Sequence, residues 1–464
     1  MTVKKNTLIK NFFFGIIFLI CSLLSEIRFF SYLSMLFFFI YFFAFIIKNK
    51  EFALKYLAFL FISTTAILGV AIIELGDIIY LVELNSYSSF VGSLPLLIFS
   101  YWLFLVIIIL VDNKYEARIS SESLDELAKY SSFYNMVSIV VLGLFLLLFS
   151  RIASQSALQL GVDRFVYATQ YSQLGVLDKI VSNAPLLVVF PILTIIYNKG
   201  KYQRIIGVLG VCMYILYFAW IGNKFGPFFT LICVFILVYY KRIIIKGKKF
   251  LKMLLVASIA SFALIVSYSV AFSISTSSYS GLSYLEQRAS QQGQLWWKTY
   301  EVCKQNHPAE FINEIKAVNN GKEAINDNVG SNNGIYKIMY LSAPKEQVDF
   351  KLSTGSRYSE AGFATMYYYF GSMGVVLFSC VMGTIIAMTI NCFIINLSNG
   401  DFIKSLIFLR FFLLERTSLS MFLFNDFVGI ISILSYIYLF IMRRKKFVFK
   451  KKDGWTLSIV KYKR

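Results

Sequence analysis

The sequence predicts an all-α polytopic membrane protein with about twelve transmembrane helices and one large loop outside the membrane. Hydrophobic residues make up 58% of the 464-residue chain and charged residues only 15%, with a mean hydropathy of +0.68. Long apolar runs recur along most of the sequence, as helices that cross a bilayer require. A single long polar interval, residues 276–362, separates two sets of these runs.

The apolar runs divide the chain into four regions. Residues 1–275 are predicted to form a membrane bundle of nine spans, 276–362 the large loop, 363–442 a bundle of three spans, and 443–464 a basic tail. The first and eleventh spans contain or border charged residues. The twelve spans are predicted near residues 11–27, 29–47, 56–73, 90–111, 133–150, 180–198, 205–222, 225–240, 253–275, 367–394, 403–417 and 424–442.

The distribution of basic residues predicts the orientation of the spans. Most of the 45 Lys and Arg residues fall in the termini and in short connections on one side of the predicted bundle. The first connection of ordinary length on the other side, residues 74–89, contains acids but no basic residue. Because short loops rich in Lys and Arg stay in the cytoplasm, we expect both termini there and the large loop in the periplasm. The net charge of +20 then reflects topology and contact with anionic lipid head groups, rather than nucleic acid.

The six cysteines do not indicate a metal site or a disulfide. They show no CxxC spacing, and all except Cys303 lie in apolar runs, where Cys acts as a small hydrophobic residue. Cys303 has no second cysteine in the large loop. No cofactor is therefore predicted from the cysteines.

The large loop begins with a pattern typical of a short amphipathic helix at the membrane surface. Between Leu282 and Tyr300, apolar residues that include Trp296 repeat at helical spacing, and Gly293 interrupts the pattern. Amphipathic helices that contain Trp commonly lie in the lipid interface. Trp296 and Trp297 are therefore interpreted as interface anchors, with a stacking platform for sugars as the alternative.

Several cations are predicted at the outer ends of the spans, although the positive-inside rule disfavours basic residues there. An ionisable group at this depth is costly to desolvate and indicates function. The phosphate or pyrophosphate of a lipid would suit these cations, because Arg forms bidentate hydrogen bonds with phosphate. The alternatives are snorkelling, pairing with nearby acids such as Glu415, and binding of lipid phosphate without chemistry. The candidates are Arg164, Lys224, Arg288, Arg357 and Arg416.

Glu360 is the candidate for a general base. It follows Arg357 by three residues, so on a helix the two side chains would share a face. A carboxylate that accepts a proton beside a cation that stabilises departing pyrophosphate would serve attack by a sugar hydroxyl. The alternative is an ion pair between Glu360 and Arg357. The single histidine of the chain, His307, is interpreted as a surface residue.

This arrangement resembles the O-antigen polymerases of the Wzy-type family, which are multi-span glycosyltransferases that use lipid-linked donors. The resemblance rests on about twelve spans, basic cytoplasmic ends and a large periplasmic loop in the C-terminal half. Arg164 and Gly175 match the Arg-x10-Gly spacing of that family, and the segments QGQLWW at 292–297 and GSRY at 355–358 are similar to segments of such polymerases. The large loop departs from the family's second Arg and Gly pattern, because Arg288 is followed only by Gly293.

The resemblance implies an enzyme of lipopolysaccharide and surface polysaccharide biosynthesis in the bacterial inner membrane. Glycan on undecaprenyl pyrophosphate would be transferred to a lipid-linked repeat unit at the periplasmic face, with no metal or other cofactor. The partners would be this lipid-linked oligosaccharide, membrane lipids and a chain-length regulator protein, but no nucleic acid. Arg288, Arg357 and Glu360 would be catalytic. The groups that bind pyrophosphate or sugar would be Arg164, Lys224, Gly175, Trp296, Trp297 and Arg416.

Other functions fit a similar span count. A flippase or other transporter of lipid-linked oligosaccharides would place charged or broken helices near the membrane midplane, whereas the predicted spans carry few charges. An O-antigen ligase, which joins the polymer to lipid A–core, performs related chemistry, and no residue of the sequence distinguishes its acceptor. A membrane scaffold without activity would leave the outer cations without a purpose.

Overall fold

The computed structural model describes residues 5–115, 127–162, 164–223, 225–240, 267, 281–319, 334–353, 357–420, 430–443, 445–451 and 455–461. Within these ranges, seven helical segments are long and apolar enough to cross a membrane. The chain is therefore an all-α, multi-span membrane protein, as predicted from its composition. The seven segments are Arg28–Lys48, Leu57–Leu75, Leu94–Tyr115, Ser131–Phe149, Ile180–Tyr197, Lys201–Trp220 and Ala361–Ser398.

The other five predicted spans differ in how far the structure supports them. Three shorter apolar helices, Asn11–Leu23, Gly226–Tyr240 and Ile430–Ile441, coincide with further predicted spans. The predicted eleventh span corresponds to the helix Phe402–Ser420, which contains charged residues along its length. The predicted ninth span, 253–275, lies outside the described residues apart from residue 267. The number of twelve spans therefore stays a prediction.

We number the described elements in chain order. The N-terminal bundle contains α1 (Lys5–Leu23), α2 (Arg28–Lys48), α3 (Lys50–Lys55), α4 (Leu57–Leu75), β1 (Tyr80–Leu81), β2 (Ser86–Tyr87), α5 (Leu94–Tyr115), α6 (Ser131–Phe149), α7 (Ala157–Leu160), α8 (Arg164–Gln170), α9 (Asp178–Leu187), α10 (Val189–Tyr197), α11 (Lys201–Trp220) and α12 (Gly226–Tyr240). The large loop contains α13 (Gly281–Ser290), α14 (Gln294–Val302), α15 (Pro308–Asn319), α16 (Gly334–Ser342) and α17 (Lys345–Ser353). The C-terminal part contains α18 (Ala361–Ser398), α19 (Phe402–Ser420), α20 (Ile430–Ile441), β3 (Lys445–Lys451) and β4 (Trp455–Lys461).

The long helix α18 forms the centre of the described bundle, because it packs along both α5 and α19. Its backbone leaves helical geometry at Gly371 (φ 63°, ψ −151°), which kinks the helix. A Cβ atom at this position would lie 2.8 Å from Oδ1 of Asn306 in the large loop. The positive φ favours glycine here, and the side chain of Asn306 packs into the space that a Cβ atom would take.

The described part of the large loop folds as a set of short helices over the end of the bundle where α4 ends and α5 begins. We call the described residues 281–319, 334–353 and 357–360 the cap. The prediction that Gly293 interrupts the first helix of this loop is confirmed, since α13 ends at Ser290 and α14 begins at Gln294. A Cβ atom on Gly69 of α4 would lie 2.5 Å from the carbonyl oxygen of Ala289, and one on Gly293 would lie 2.5 Å from the backbone nitrogen of Val70. The cap therefore meets the bundle backbone to backbone at a pair of glycines.

A buried polar cluster holds the opposite end of the bundle together. Lys55 Nζ donates hydrogen bonds to Asp112 Oδ1 (2.5 Å) and to Asn391 Oδ1 (2.8 Å). The same aspartate oxygen accepts from Tyr56 (2.6 Å) and from Asn391 Nδ2 (2.8 Å). These bonds join α3, α5 and α18, and they offset the cost of removing the lysine and the aspartate from water.

Two small antiparallel hairpins were not predicted. Strand β1 pairs with β2 beneath the cap, and β3 pairs with β4 in the basic tail. Each strand of the first hairpin has only two residues, which is too short for a pattern of alternating hydrophobicity. The tail was interpreted from its charge, and the pairing of its apolar residues was not anticipated.

Candidate functional site

Glu83, in the turn between β1 and β2, binds a lysine of the cap. Lys351 of α17 forms an ion pair with Glu83, and its ammonium group lies 4.5 Å from the centre of the Tyr358 ring. Tyr358 donates a hydrogen bond of 2.8 Å to the backbone carbonyl of Glu83. Burial lowers the pKa of Lys351, the positive charge of nearby Arg288 lowers it further, and the ion pair with Glu83 does not offset them. The surroundings of Lys351 would therefore favour the binding of a further negatively charged group.

Arg357 lies next to Tyr358 in the chain and adds a third cation to this region. Its half-buried guanidinium donates hydrogen bonds of 2.7 and 3.2 Å to the hydroxyl of Tyr336, the second residue after the start of α16. We call Arg288, Lys351 and Arg357 the cap cation cluster. Two of its members, Arg288 and Arg357, were predicted as catalytic from the sequence, whereas Lys351 was missed.

Glu360 does not share a helix face with Arg357, so that prediction was wrong. The segment 357–360 is not helical, and Glu360 itself has a left-handed backbone conformation (φ 63°) one residue before α18. Its side chain is 2% exposed and accepts a hydrogen bond of 2.8 Å from Tyr101 of α5, whereas Arg357 contacts Tyr336. Burial raises the pKa of Glu360 to about 8, although the hydrogen bond from Tyr101 lowers it. The ion pair between Glu360 and Arg357, which was the alternative interpretation, is not observed either.

Trp296 and Trp297 attach the cap to the bundle. Both side chains are fully buried. Trp296 Nε1 donates to the carbonyl of Ser93 (3.2 Å), and Trp297 Nε1 donates to the carbonyl of Ser89 (2.9 Å). Because neither ring has a free face, the interpretations of this pair as a sugar platform or as anchors in lipid were both wrong. The apolar stripe of this segment faces protein, and a stripe by itself does not distinguish protein from lipid.

The other predicted residues that the structure describes lie in the bundle rather than in the cap, and of these only Arg164 reaches the turn between α11 and α12. Arg164, at the start of α8, is exposed and donates a hydrogen bond of 3.1 Å to Asn223 in this turn. Arg416 of α19 lies close to Tyr214 of α11 and Cys233 of α12, about two helical turns inside the bundle. Gly175 has a positive φ of 52° in a single 3₁₀ turn that leads into α9, which packs against α19. Lys224 lies outside the described residues.

Three charged residues on α19 face three different neighbours. Glu415 is 1% exposed, accepts a hydrogen bond of 2.5 Å from Thr389 of α18, and has one oxygen without a partner. Arg410 donates to Ser432 of α20 (3.2 Å). Arg416 forms no ion pair with Glu415, so that alternative is not observed. Charges inside the bundle are thus more frequent than the sequence analysis allowed.

Glu310 of α15 binds two partners at the edge of the cap. Lys337 Nζ donates to its Oε1 (2.8 Å) and Tyr368 donates to its Oε2 (2.7 Å). Burial opposes ionisation of Glu310, but the hydrogen bonds and the charge of Lys337 outweigh it and lower the pKa. His307 stacks on Tyr368 with ring centres 4.5 Å apart, and its Nδ1 lies 3.8 Å from Glu310. Because Lys337 follows Tyr336 in the chain, Glu310 and its partners lie next to Tyr336, the residue that binds Arg357.

Sequence reasoning missed these partners because their contacts join distant parts of the chain. Glu83 and Lys351 lie in different regions of the sequence, and neither belongs to a recognisable spacing pattern. Among the described residues, no group of three His, Cys, Asp or Glu side chains is placed to hold a metal ion.

The fold and the site define a multi-span helical membrane protein with a cap that gathers cations at one end of the bundle. Residues 328–441 match a family model described as "Family of unknown function (DUF6418)". The matched region contains Lys351, Arg357 and Glu360 as well as α18 and α19, whereas Arg164, Arg288 and the tryptophan pair precede it. Searches of curated proteins and of solved structures gave no match.

Proposed function

We propose that this protein is an O-antigen polymerase of the bacterial inner membrane. In this proposal the cap faces the periplasm, and the protein transfers a glycan from undecaprenyl pyrophosphate to a lipid-linked repeat unit. The observation that carries the proposal is the cap cation cluster at the end of a membrane bundle: Lys351 lies close enough to Arg288 for that charge to lower its pKa, and it packs on the ring of Tyr358, the chain neighbour of Arg357. A lipid-borne pyrophosphate would present its negative charge at this level.

The chemistry of the cluster fits a pyrophosphate leaving group. Guanidinium groups form bidentate hydrogen bonds with phosphate, and the partly buried lysine supplies a point charge. In the transfer, a hydroxyl oxygen of the acceptor sugar forms a bond with the anomeric carbon of the donor glycan. The bond from that carbon to pyrophosphate breaks, and the electron pair leaves with undecaprenyl pyrophosphate. Cations that already face this oxygen would stabilise the charge that develops on it.

The burial of Glu360 changes its role in this proposal. A carboxylate that is enclosed against Tyr101 does not reach a sugar hydroxyl, so we assign it as a positioning residue at the start of α18. Its left-handed backbone sets the direction in which the chain leaves Arg357. Glu310 is ionised and partly exposed near the partner of Arg357, and it is the better candidate to accept the proton.

The second group of cations suits the second lipid that the reaction needs. A polymerase holds two lipid-linked glycans at once, and each carries pyrophosphate. Arg416 is half-buried and has no hydrogen bond or ion pair with the described residues. A guanidinium in this environment is stabilised by an anionic ligand. We assign Arg164 and Arg416 to the second pyrophosphate, with the cap cation cluster holding the first.

A flippase is the second candidate, and the charged residues inside the bundle favour it. Lys55 with Asp112, Glu415, Arg410 and Arg416 all lie between helices, where transporters commonly place the charges that bind their substrates. An O-antigen ligase would use the same pyrophosphate chemistry with a different acceptor. The three functions differ in the lipopolysaccharide that a deletion strain makes.

A deletion strain and two substitutions test the proposal. We expect the strain to accumulate lipid A–core that carries one repeat unit, because ligation continues without polymerisation. When Arg357→Ala or Arg288→Ala is expressed in this strain, we expect a normal amount of the protein in the membrane but no long-chain lipopolysaccharide. Each variant lacks one cation of the cluster. Lys345→Ala is the matched control, because Lys345 is an exposed cation on the same helix as Lys351.

The readout is the length distribution of lipopolysaccharide on a gel, with the amount of membrane protein measured in parallel. Full ladders from both arginine variants would contradict the assignment of the cluster. Loss of every capped form in the deletion strain would contradict the polymerase and favour the ligase or the flippase.

A further inference from the structure

The break in α18 at Gly371 binds the start of α15. The last carbonyl groups of a helical segment have no partner within the helix. Just before the break, the carbonyls of Tyr368 (3.2 Å) and Tyr369 (3.1 Å) accept hydrogen bonds from the backbone nitrogen of His307. The side chain of Asn306 packs against Gly371, and α15 begins at the residue after His307. The start of this cap helix is therefore fixed on a membrane helix.

Tyr368 contacts the first turn of α15 in three ways. Its carbonyl accepts from His307, its ring stacks on the His307 ring with centres 4.5 Å apart, and its hydroxyl donates a hydrogen bond of 2.7 Å to Oε2 of Glu310. The backbone nitrogen of Glu310 donates to the carbonyl of His307 (3.1 Å), which closes this turn. A tyrosine that is 1% exposed thus orients a carboxylate whose side chain is 30% exposed.

The second oxygen of the Glu310 carboxylate is held from α16. Lys337 Nζ donates to Oε1 (2.8 Å), and the chain neighbour of this lysine, Tyr336, accepts the hydrogen bonds of Arg357. An ionised carboxylate has about four acceptor positions, two on each oxygen. With one donor on each oxygen, the carboxylate can still accept a proton. In the described elements around Glu310, the titratable groups that face it are Lys337 of α16, Tyr368 of α18 and His307 of the preceding loop.

We propose that Tyr368 is a positioning residue for the transfer reaction, and that the break in α18 holds it in place. The inference rests on the proposed function, in which Glu310 accepts the proton of the acceptor hydroxyl. The oxygen of that hydroxyl bonds to the anomeric carbon, and the electron pair of the broken bond leaves with undecaprenyl pyrophosphate. A partly exposed glutamate has several rotamers, and donors on both of its oxygens restrict it to one orientation. A reacting group that is held in this way reacts faster.

The test compares Tyr368→Phe with Tyr340→Phe. The first variant keeps the ring that stacks on His307 but removes the hydroxyl that binds Glu310. The second is the matched control, because the hydroxyl of Tyr340 binds a different carboxylate of the cap, that of Asp349. Turnover is measured in liposomes that contain a repeat unit linked to undecaprenyl pyrophosphate. For Tyr368→Phe we expect kcat to fall about 10- to 100-fold and KM to change by less than about twofold.

The pH profile distinguishes positioning from a general loss of structure. Burial raises the pKa of Glu310, and the hydrogen bonds from Lys337 and Tyr368 outweigh it, so that the pKa lies below its ordinary value. Without the tyrosine hydroxyl this pKa should rise, and the base is then protonated at a higher pH. The pH below which kcat/KM falls should therefore move upward in Tyr368→Phe and stay unchanged in Tyr340→Phe. A variant that is merely less stable would lose turnover without this shift.

Chemical labelling of Glu310 gives a measurement that does not need turnover. A water-soluble carbodiimide couples an amine to the protonated carboxyl, and mass spectrometry gives the labelled fraction of Glu310 at each pH, relative to exposed Glu346. The pH of half-maximal labelling should rise in Tyr368→Phe but not in Tyr340→Phe. Unchanged labelling, or a shift in labelling without a matching shift in kcat/KM, would overturn the proposal.

Failure of the proposed function gives a different result. The native protein would then show no turnover at any pH, while the pH of labelling would still shift in Tyr368→Phe. That outcome would overturn the reaction that Tyr368 serves and would leave its hold on the Glu310 carboxylate established.

Discussion

At the scale of single residues, the environment of Glu360 decides how that side chain acts. The carboxyl is enclosed by α5 and the start of α18, and its partner is the hydroxyl of Tyr101 rather than a cation. Its pKa of about 8 lies above the ordinary value of 4.5. Between these two pH values, the folded state therefore holds a proton that the unfolded chain releases. Each unit of difference between the folded and unfolded pKa changes the free energy of unfolding by about 1.4 kcal/mol.

Glu360→Gln should abolish the part of the pH dependence of stability that comes from Glu360. In the native protein, the stability that comes from protonated Glu360 is complete below about pH 4.5 and is lost as the pH rises toward 8. Glutamine keeps the acceptor for Tyr101 but does not ionise. We expect the melting temperature of the variant in detergent to equal that of the native protein at pH 5 and to exceed it at pH 8.

The same variant distinguishes a positioning role from a catalytic one. A positioning residue tolerates glutamine, so Glu360→Gln should retain most long-chain lipopolysaccharide, whereas Glu360→Ala should lose it. If Glu360→Gln abolishes long chains while the protein stays folded, Glu360 is the base and our assignment is wrong.

At the scale of elements, the close contact between the cap and α4 depends on two glycines, Gly69 and Gly293. Gly293→Ala would place a Cβ atom 2.5 Å from the backbone nitrogen of Val70, and backbone atoms cannot move aside as a flexible side chain can. We expect a loss of about 1–3 kcal/mol of stability, typical of an overpacked contact. Gly143→Ala in α6 is the matched control, since a Cβ atom there meets no atom within 4 Å. Thermal unfolding that is the same for both variants would contradict this account.

The buried pair at the opposite end gives a second test at this scale. Lys55→Met leaves Asp112 charged among apolar helices, and the loss of one partner of a buried pair typically costs about 3–5 kcal/mol. Adding Asp112→Asn removes the remaining charge and should recover much of the loss. A double variant as unstable as Lys55→Met alone would show that the lysine is needed for another reason. Thermal stability in detergent is the measurement.

The sequence predicted the elements that are determined by the residues of their own segment. Apolar runs of sufficient length define membrane helices such as α2 and α5, because length and hydropathy are properties of the segment itself. The break between α13 and α14 likewise falls around Gly293, the glycine that marks it in the sequence. The pairing of Lys351 with Glu83 and the burial of Trp296 depend on how distant segments pack, and no spacing along the chain records that.

At the scale of the whole molecule, the cations that were predicted as one set occupy separate places. Arg288 and Arg357 belong to the cap, whereas Arg164 binds the turn between α11 and α12 and Arg416 lies deeper between the same two helices and α19. The sequence placed all four on one side of the membrane from charge and topology, but it could not assign them to groups. That grouping follows from the fold, and in the proposed reaction each group would bind the pyrophosphate of one lipid-linked substrate.

The most direct test of the proposed function is turnover by the purified protein in liposomes that contain a repeat unit linked to undecaprenyl pyrophosphate. We predict release of undecaprenyl pyrophosphate together with glycans longer than one repeat, and loss of both products with Arg357→Ala and with Glu310→Gln. Lys345→Ala and Glu346→Gln, which change exposed residues of the cap, should retain both products. Movement of the repeat unit across the bilayer without release of undecaprenyl pyrophosphate, or full turnover by Arg357→Ala, would contradict the account.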